Sequence, residues 1–348
     1  MHSAVDAAPR AVRLERRDDA TCLGTATPLL SWRRPPGAGP QRGVQVQLRD
    51  AAPGGRDLSW SARTEESVLV PWAGEPLHSG QRGLLRVRTE HDGGVSPWSD
   101  PVRVHVAPLA PSDWRARFIS PAVGGGLDDP APVLAGVVRI GTDLVHARLL
   151  VSALGAVRMQ VNGQRVGADV LTPGWTSYAH RVRFHGYDVT ALLTPGENTL
   201  RATLGNGWYR GALTRELRRD LYGSHLGLLA QLELSYADGR VETVCADETW
   251  RAYTGPVRAD DLDGGQHTGE AVLAHQVLRA LAHRIAATGT VLRPVRQRAA
   301  HRGPAQNRQR GDHRQHPAPT PLVRLIRGGD VSTIGHGVPS NRAALTTP

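Results

Sequence analysis

Two short segments of the sequence carry aromatic and amide side chains of the kind that recognise sugars. Residues 171–178 contain Trp175, and residues 205–211 read Gly-Asn-Gly-Trp-Tyr-Arg-Gly, which supplies Asn206, Trp208, Tyr209 and Arg210. Aromatic rings cover the apolar face of a pyranose. Amide and guanidinium groups hydrogen-bond its hydroxyls. With Tyr222 as a further ring, this combination indicates a carbohydrate contact surface.

Each of these side chains also has a structural explanation. The glycines around Asn206 and Trp208 permit positive φ and close approach of a ligand, but they also suit a bulge at a strand end. For Asn206 both interpretations stay open, whereas for Trp208 we favour a place in the core. Asn162 precedes Gly163, and Asn-Gly predicts a tight type I′ hairpin turn. For Asn162 the turn is therefore favoured over a sugar contact.

The sequence assigns no catalytic residue and no metal or other cofactor. Glycoside hydrolysis needs two carboxylates, about 6.5–9.5 Å apart in an inverting enzyme. Each candidate has a surface position on a strand or turn that explains it: Glu216, Glu233, Glu242 and Glu248. The acidic run at residues 260–263 could hold a metal, but its spacing fits no EF-hand and a solvated loop is favoured. Cys22 and Cys245 fit no metal motif, and we expect them to be small buried residues that do not pair with each other.

The elements that must position these groups are strands. From about residue 10 to 107, apolar and polar residues alternate, as at Val44, Val46 and Leu48, and Pro- and Gly-rich turns separate the runs. Short strands at this spacing predict a sandwich of the immunoglobulin or fibronectin type III kind, with Trp32 in its core. No polar and aromatic cluster converges here, so a spacer role is favoured over ligand binding.

Residues 112–270 predict a second β domain. The run from His146 to Ser152 is strand-like, and the alternation around Met159 leads into the Asn162-Gly163 turn. Asp188 is expected to cap a single helical turn that follows the strand Arg181–Tyr187. Antiparallel strands with one short helical insertion indicate a jelly roll. The predicted fold class is therefore all-β: a fibronectin-III-like sandwich, a jelly-roll sandwich, and then a disordered tail.

The motifs in the second domain resemble those of a known family. Thr-Pro-Gly-Trp at 172–175 and Gly-Asn-Gly-Trp-Tyr-Arg-Gly at 205–211 stand in the same order as in the N-terminal jelly roll of bacterial α-L-rhamnosidases. The resemblance covers roughly residues 10–270. Because some members bind rhamnose on this jelly roll with help from calcium, it implies Asn162 and Asn206 as contacts. Gly205 stands where that mode prefers a carboxylate, which weakens the calcium prediction.

The resemblance also implies what this chain lacks. In the family both catalytic carboxylates belong to a later α/α barrel, and nothing in these 348 residues fits that barrel. We therefore predict a truncated α-L-rhamnosidase-like protein without activity alone, whose partner is a rhamnose-containing carbohydrate. The alternative is a stand-alone carbohydrate-binding module for such glycans.

The last segment differs from the rest in composition. Residues 276–348 hold 12 Arg and 2 Asp, which accounts for the formal charge of +10, whereas residues 1–275 hold 30 Arg and 30 acidic residues. Without aromatic residues, the segment cannot bury enough surface to fold, so it is predicted to be disordered. We interpret it as an out-of-frame translation of a GC-rich gene. The disfavoured alternative is a nucleic-acid-binding arm.

No apolar run reaches the length of a membrane span, and the N-terminus has no signal-peptide pattern. The sequence therefore predicts a cytoplasmic protein with no membrane partner.

Overall fold

The polar-apolar alternation of the sequence becomes β-strand almost throughout the structure, a computed structural model. It describes residues 7–15, 20–34, 37–52, 54–123, 129–213, 215–262, 265–268, 278–279, 281–282 and 324–327. The all-β prediction is confirmed for these residues. Their one α-helix is a single turn, α1, at Gly207–Arg210. None of their helices is long and apolar enough to cross a membrane.

The first domain is built from eight strands. They are β1 (Arg10–Leu14), β2 (Ala20–Leu23), β3 (Leu30–Arg33), β4 (Gln41–Asp50), β5 (Leu58–Arg63), β6 (Arg82–His91), β7 (Gly94–Val95) and β8 (Val102–Val106). One sheet has the order β2-β8-β6-β4-β5, with β7 also on β6, and it faces the pair β1-β3. Alternate residues of β4 and β6 point inward, and Trp32 is buried between the layers.

The second domain begins after a 3₁₀ turn at Pro111–Asp113. Its strands are β9 (Ile119–Ser120), β10 (Pro132–Ile140), β11 (Leu144–Leu154), β12 (Ala156–Val161), β13 (Gln164–Arg165), β14 (Arg181–Asp188), β15 (Gly196–Gly205), β16 (Gly227–Tyr236), β17 (Val241–Cys245), β18 (Arg251–Thr254), β19 (Val257–Asp261) and β20 (Gly265–Thr268). The expected helical turn is a 3₁₀ turn at Thr190–Leu192, and the Asp188 carboxylate accepts the Thr190 N–H at 3.0 Å.

Two sheets enclose the core of this domain. One has the order β13-β12-β15-β10-β18, and the other has β9-β16-β11-β14 with β17 paired to β16. Their inner faces meet through apolar side chains such as Leu134, Leu149, Leu204 and Leu232. Burying this apolar area supplies the main driving force for folding.

Most of the segment predicted to be disordered lies outside the described residues. Within it the structure describes the backbone of three short strands, β21 (Leu278–Arg279), β22 (Leu281–Ala282) and β23 (Arg324–Arg327). They pair with β18, β9 and β14 respectively. The described backbone of the tail thus extends the sheets of the jelly roll.

The two domains share a buried contact centred on Arg148 of β11. This side chain is 1% exposed. Its Nη1 donates to the Val106 carbonyl of the first domain at 2.9 Å, and its Nη2 donates to the Glu233 carboxylate at 2.7 Å. A buried apolar cluster also joins the domains, with Cys22 from the first domain and Leu150 and Phe184 from the second. Strand β11 therefore ties the first domain to the jelly roll.

Both cysteine thiols are free, and Cys22 is buried as expected, whereas Cys245 is only partly buried because it lies on β17. Cys22 lies at the contact between the domains, where a Cβ added at Gly186 would lie 2.8 Å from the Cys22 Cβ. Only glycine permits β2 and β14 to come so close. Burial raises the pKa of the Cys245 thiol to about 11.

Candidate functional site

The register of β12 and β15 separates the two asparagines that the resemblance implied as sugar contacts. Asn162 follows the end of β12, where its N–H donates to the Thr199 carbonyl at 2.8 Å. Asn206 follows Gly205, which pairs with Ala156 at the other end of β12. At about 3.4 Å per residue along β15, the two side chains are about 24 Å apart. They cannot contact the same monosaccharide.

Asn162 serves the hairpin in which it lies. Its φ of 50° and the φ of 78° at Gly163 fit the predicted type I′ turn. Its Nδ2 donates to the Asn198 side chain at 2.7 Å, and its Oδ1 accepts the Thr199 N–H at 2.9 Å. Because these bonds fix the amide within the fold, the structure separates Asn162 from the other candidate residues.

Asn206 precedes the helical turn α1 and Arg210 is its last residue, and both are buried rather than presented to solvent. Their side chains are 3% and 2% exposed. The Asn206 N–H donates to the Asp260 carboxylate at 2.6 Å, and its Nδ2 donates to the Asp260 carbonyl at 2.8 Å. Asn206 therefore joins the end of β15 to β19. These contacts fit the structural interpretation of Asn206, in which the residue stabilises the end of a strand.

Asp260 and the neighbouring Asp261 stabilise the region around α1 through hydrogen bonds and an ion pair. Burial raises the pKa of Asp260 to about 6, and Asp261 also raises it, whereas the Asn206 N–H and the Arg210 guanidinium lower it. Asp261 accepts the Ala212 N–H at 3.0 Å and lies 3.3 Å from the Arg219 guanidinium. Both carboxylates are thus part of the support of the turn. Among the described residues no group of three His, Cys, Asp or Glu side chains is placed to hold a metal ion.

The aromatic candidates do lie together, around the helical turn α1. Tyr178 packs its ring against Tyr209 and Tyr222, with centroid distances of 5.1 and 5.0 Å. Trp208 packs against the same cluster and is half-buried. Trp175 is 52% exposed, and its Nε1 donates to the Tyr222 hydroxyl at 3.0 Å. We call these five residues the aromatic surface: Trp175, Tyr178, Trp208, Tyr209 and Tyr222.

Hydrogen bonds to backbone carbonyls hold the two loops that carry the aromatic surface. In the first loop, the Thr172 hydroxyl donates to the Val157 carbonyl at 2.7 Å, which anchors the loop to β12. In the second, the Asp220 N–H donates to the Arg210 carbonyl at 3.0 Å. The rings are therefore positioned by the strands and by α1, as a preformed contact surface requires.

Two residues near this surface were not singled out from the sequence. Tyr178 is the last residue of the motif at 171–178. Its role follows only from its position against the rings of Tyr209 and Tyr222. Arg183 of β14 lies beside Gly174, and its buried Nε has no hydrogen-bond partner. Nothing in the alternating pattern of β14 distinguishes Arg183 from an ordinary strand arginine.

Comparison with family models identifies both domains. Residues 142–282 match the family described as "Alpha-L-rhamnosidase N-terminal domain". Residues 9–110 match the family described as "Rha78A-like, N-terminal immunoglobulin domain". The two matches correspond to the two β domains of the structure.

Comparison with curated proteins finds relatives that are much longer than this chain. An α-L-rhamnosidase of Formosa agariphila is 31% identical over 261 residues, which are 69% of this chain and 28% of that protein. One of Streptomyces avermitilis is 39% identical over 166 residues, which are 44% of this chain and 16% of that protein. The chain therefore matches less than a third of the length of either relative.

Solved structures give the same result for the fold. The α-L-rhamnosidase from Aspergillus terreus has a TM-score of 0.72 at 30% identity, covering 80% of this chain and 34% of the other. The Streptomyces avermitilis enzyme, solved with L-rhamnose, has a TM-score of 0.68 at 22% identity, covering 79% of this chain and 45% of the other. The similarity to the second structure concerns the fold alone.

Proposed function

We propose that this chain, which belongs to the α-L-rhamnosidase family through its two N-terminal domains, binds rhamnose-containing glycan on its jelly roll and does not cut the glycosidic bond by itself. The family membership rests on residues 9–110 and 142–282. The site proposed for the glycan is the aromatic surface. The sugar specificity follows the names of the relatives and is part of the proposal.

The exposed Trp175 ring is the observation that supports binding. Trp175 donates a hydrogen bond from Nε1 to the Tyr222 hydroxyl, which orients the ring, and about half of the residue stays exposed. An exposed, oriented tryptophan suits the apolar face of a pyranose, since its large area is held at low entropic cost. Trp208 and Tyr209 extend the surface, and Asn206 and Arg210 support the fold around it. Asn162 belongs to the hairpin at the other end of β12.

Replacement of Trp175 tests the proposed site. In Trp175→Ala, we expect the Kd for L-rhamnose, measured by calorimetry on the full chain, to rise by about tenfold, because the stacking platform is lost. Tyr222→Phe removes only the hydrogen bond to Nε1 and should have a smaller effect in the same direction. Trp98→Ala is the control, because Trp98 contacts Arg86 and Arg88 in the first domain. Equal affinities of wild type and Trp175→Ala, or no heat with millimolar rhamnose, would contradict binding at this surface.

The carboxylates near the aromatic surface support the proposal that the chain does not cut the glycosidic bond by itself. Asp260 and Asp261 face backbone N–H groups and arginines under α1 rather than an open cleft. Hydrolysis requires a water or a nucleophile between two accessible carboxyl groups. The geometry around α1 offers no such arrangement to a sugar on the aromatic surface.

We therefore expect the purified chain to release no nitrophenol from an aryl α-L-rhamnoside above the buffer rate. The measurement is the absorbance of nitrophenolate over hours at high protein concentration. Asp260→Asn serves as the matched variant, since it keeps an acceptor for the Asn206 N–H. Turnover by the wild type that disappears in Asp260→Asn would show a catalytic role and overturn this half of the proposal.

A further inference from the structure

A cleft of about 640 Å³ lies between the two domains, away from the aromatic surface. Its volume falls within the range of sites for small organic ligands. The first domain contributes residues around Gln81 and Arg82, and the jelly roll contributes residues around Glu233 and Val241. The segment that joins the domains adds Asp113 and Arg115. Neither domain alone forms this cleft.

The carboxylates that line the cleft already have donors from the protein. Asp50 accepts the Ala52 N–H, Glu75 pairs with Arg56, Asp113 accepts the Leu109 and Ala110 N–H groups, and Glu233 pairs with Arg148. Each of these carboxylates therefore already accepts a hydrogen bond or forms an ion pair within the protein.

By contrast, two arginines that line the cleft form no ion pair with any described residue. Arg82 is half-buried at the start of β6, and among the described residues its guanidinium makes no ion pair or hydrogen bond. Burial lowers the pKa of Arg82 and the nearby Arg148 lowers it further, whereas the charges of Asp50 and Glu233 raise it. In the part of the chain that the structure describes, the exposed Arg115 guanidinium on the joining segment forms no ion pair either. Asp50 and Glu233 thus attract Arg82 without pairing with it, and both guanidinium groups can contact a ligand.

A third polar group of the lining lacks a partner. The His105 side chain is only 9% exposed, and its buried Nδ1 makes no hydrogen bond. The pKa of His105 is lowered by burial and by Arg148, His146 and Arg82, so the ring is neutral at pH 7. Its Nε2 lies 3.9 Å from the Glu233 carboxylate, which favours the neutral tautomer with the proton on Nε2. Because Nδ1 is shielded from the cleft, His105 contributes an uncharged ring to the lining and no donor to a ligand.

We propose that this cleft binds the carboxylate of an acidic sugar, with Arg82 and Arg115 as its cationic contacts. Guanidinium groups match carboxylates in geometry and charge. The exposed Val241 and the Leu58 side chain offer apolar area to the ring of the sugar. The choice of a saccharide among carboxylates rests on the proposed carbohydrate role of the chain.

Calorimetry on the full chain with D-glucuronate, D-glucose and acetate tests the proposal. We expect glucuronate to bind about tenfold more tightly than glucose or acetate, because only glucuronate combines the charge with the ring. Arg82→Gln and Arg115→Gln should each weaken glucuronate binding by about tenfold. Arg158→Gln is the control, since it removes one exposed charge on β12 and should leave the affinity unchanged.

Hydrogen exchange on the wild-type chain provides a readout that does not depend on a variant. Glucuronate should protect amides near residues 78–82 and 239–243, which face each other across the cleft. Absence of glucuronate binding, or equal weakening by Arg82→Gln and Arg158→Gln, would overturn the proposal. Equal affinity for acetate and glucuronate would overturn the saccharide assignment.

This proposal and the function proposed for the aromatic surface can fail separately. Trp175→Ala should leave glucuronate affinity unchanged, and Arg82→Gln should leave L-rhamnose affinity unchanged. Loss of rhamnose binding with intact glucuronate binding would contradict only the function of the aromatic surface, and the reverse would contradict only the cleft.

Discussion

In Arg148→Met, the free energy of unfolding is expected to fall by about 3–5 kcal/mol, because removal of one partner leaves the other charge buried without compensation. Arg148 is 1% exposed and donates to Glu233 through Nε and Nη2, at 2.9 and 2.7 Å. Its Nη1 also satisfies the carbonyl of Val106 in the first domain. Methionine fills part of the volume but donates no hydrogen bond. Urea denaturation followed by tryptophan fluorescence measures the loss.

The double variant Arg148→Met with Glu233→Leu serves as the matched comparison. Replacing both charges with apolar groups should recover a large part of the loss, because the uncompensated carboxylate is gone. Arg158→Gln, on the exposed face of β12, should change the free energy of unfolding by less than about 0.5 kcal/mol. A loss below about 1 kcal/mol in Arg148→Met would mean that Arg148 does not join the domains energetically.

Asp260 makes the stability of the jelly roll depend on pH in an unusual direction. The pKa of this carboxyl is raised from 3.8 to about 6 in the folded chain, so the folded state retains the proton longer than the unfolded state. Its contribution to stability is therefore complete below about pH 4 and is lost as the pH rises to about 6. The total change is about 3 kcal/mol. Most buried carboxylates that form ion pairs behave in the opposite way.

Asp260→Asn should remove this dependence. The asparagine oxygen still accepts the Asn206 N–H, and the charge next to Asp261 is absent. Thermal unfolding of both proteins between pH 4 and 7 gives the comparison, and their difference should grow in favour of Asp260→Asn as the pH rises. Asp100→Asn, at an exposed position, corrects for general charge effects. A constant difference between wild type and Asp260→Asn over this range would refute the raised pKa.

The sequence by itself determined the all-β fold class and the family. Alternation in β4, β6 and β12 is a local property of the chain, and it identifies a buried face without any knowledge of neighbours. The Asn162-Gly163 turn and the motifs at 171–178 and 205–211 are likewise contiguous. For this reason the aromatic members of the candidate site could be named in advance.

The tertiary structure alone decided which candidate side chains meet and which are accessible. The resemblance implied both Asn162 and Asn206 as sugar contacts, but the register of β12 and β15 places them at opposite ends of a sheet. Arg210 reads as a sugar contact and is buried, whereas Arg148 and His105 read as ordinary strand residues and lie where the domains meet. Burial and long-range pairing depend on residues far apart in the chain, so no local pattern encodes them.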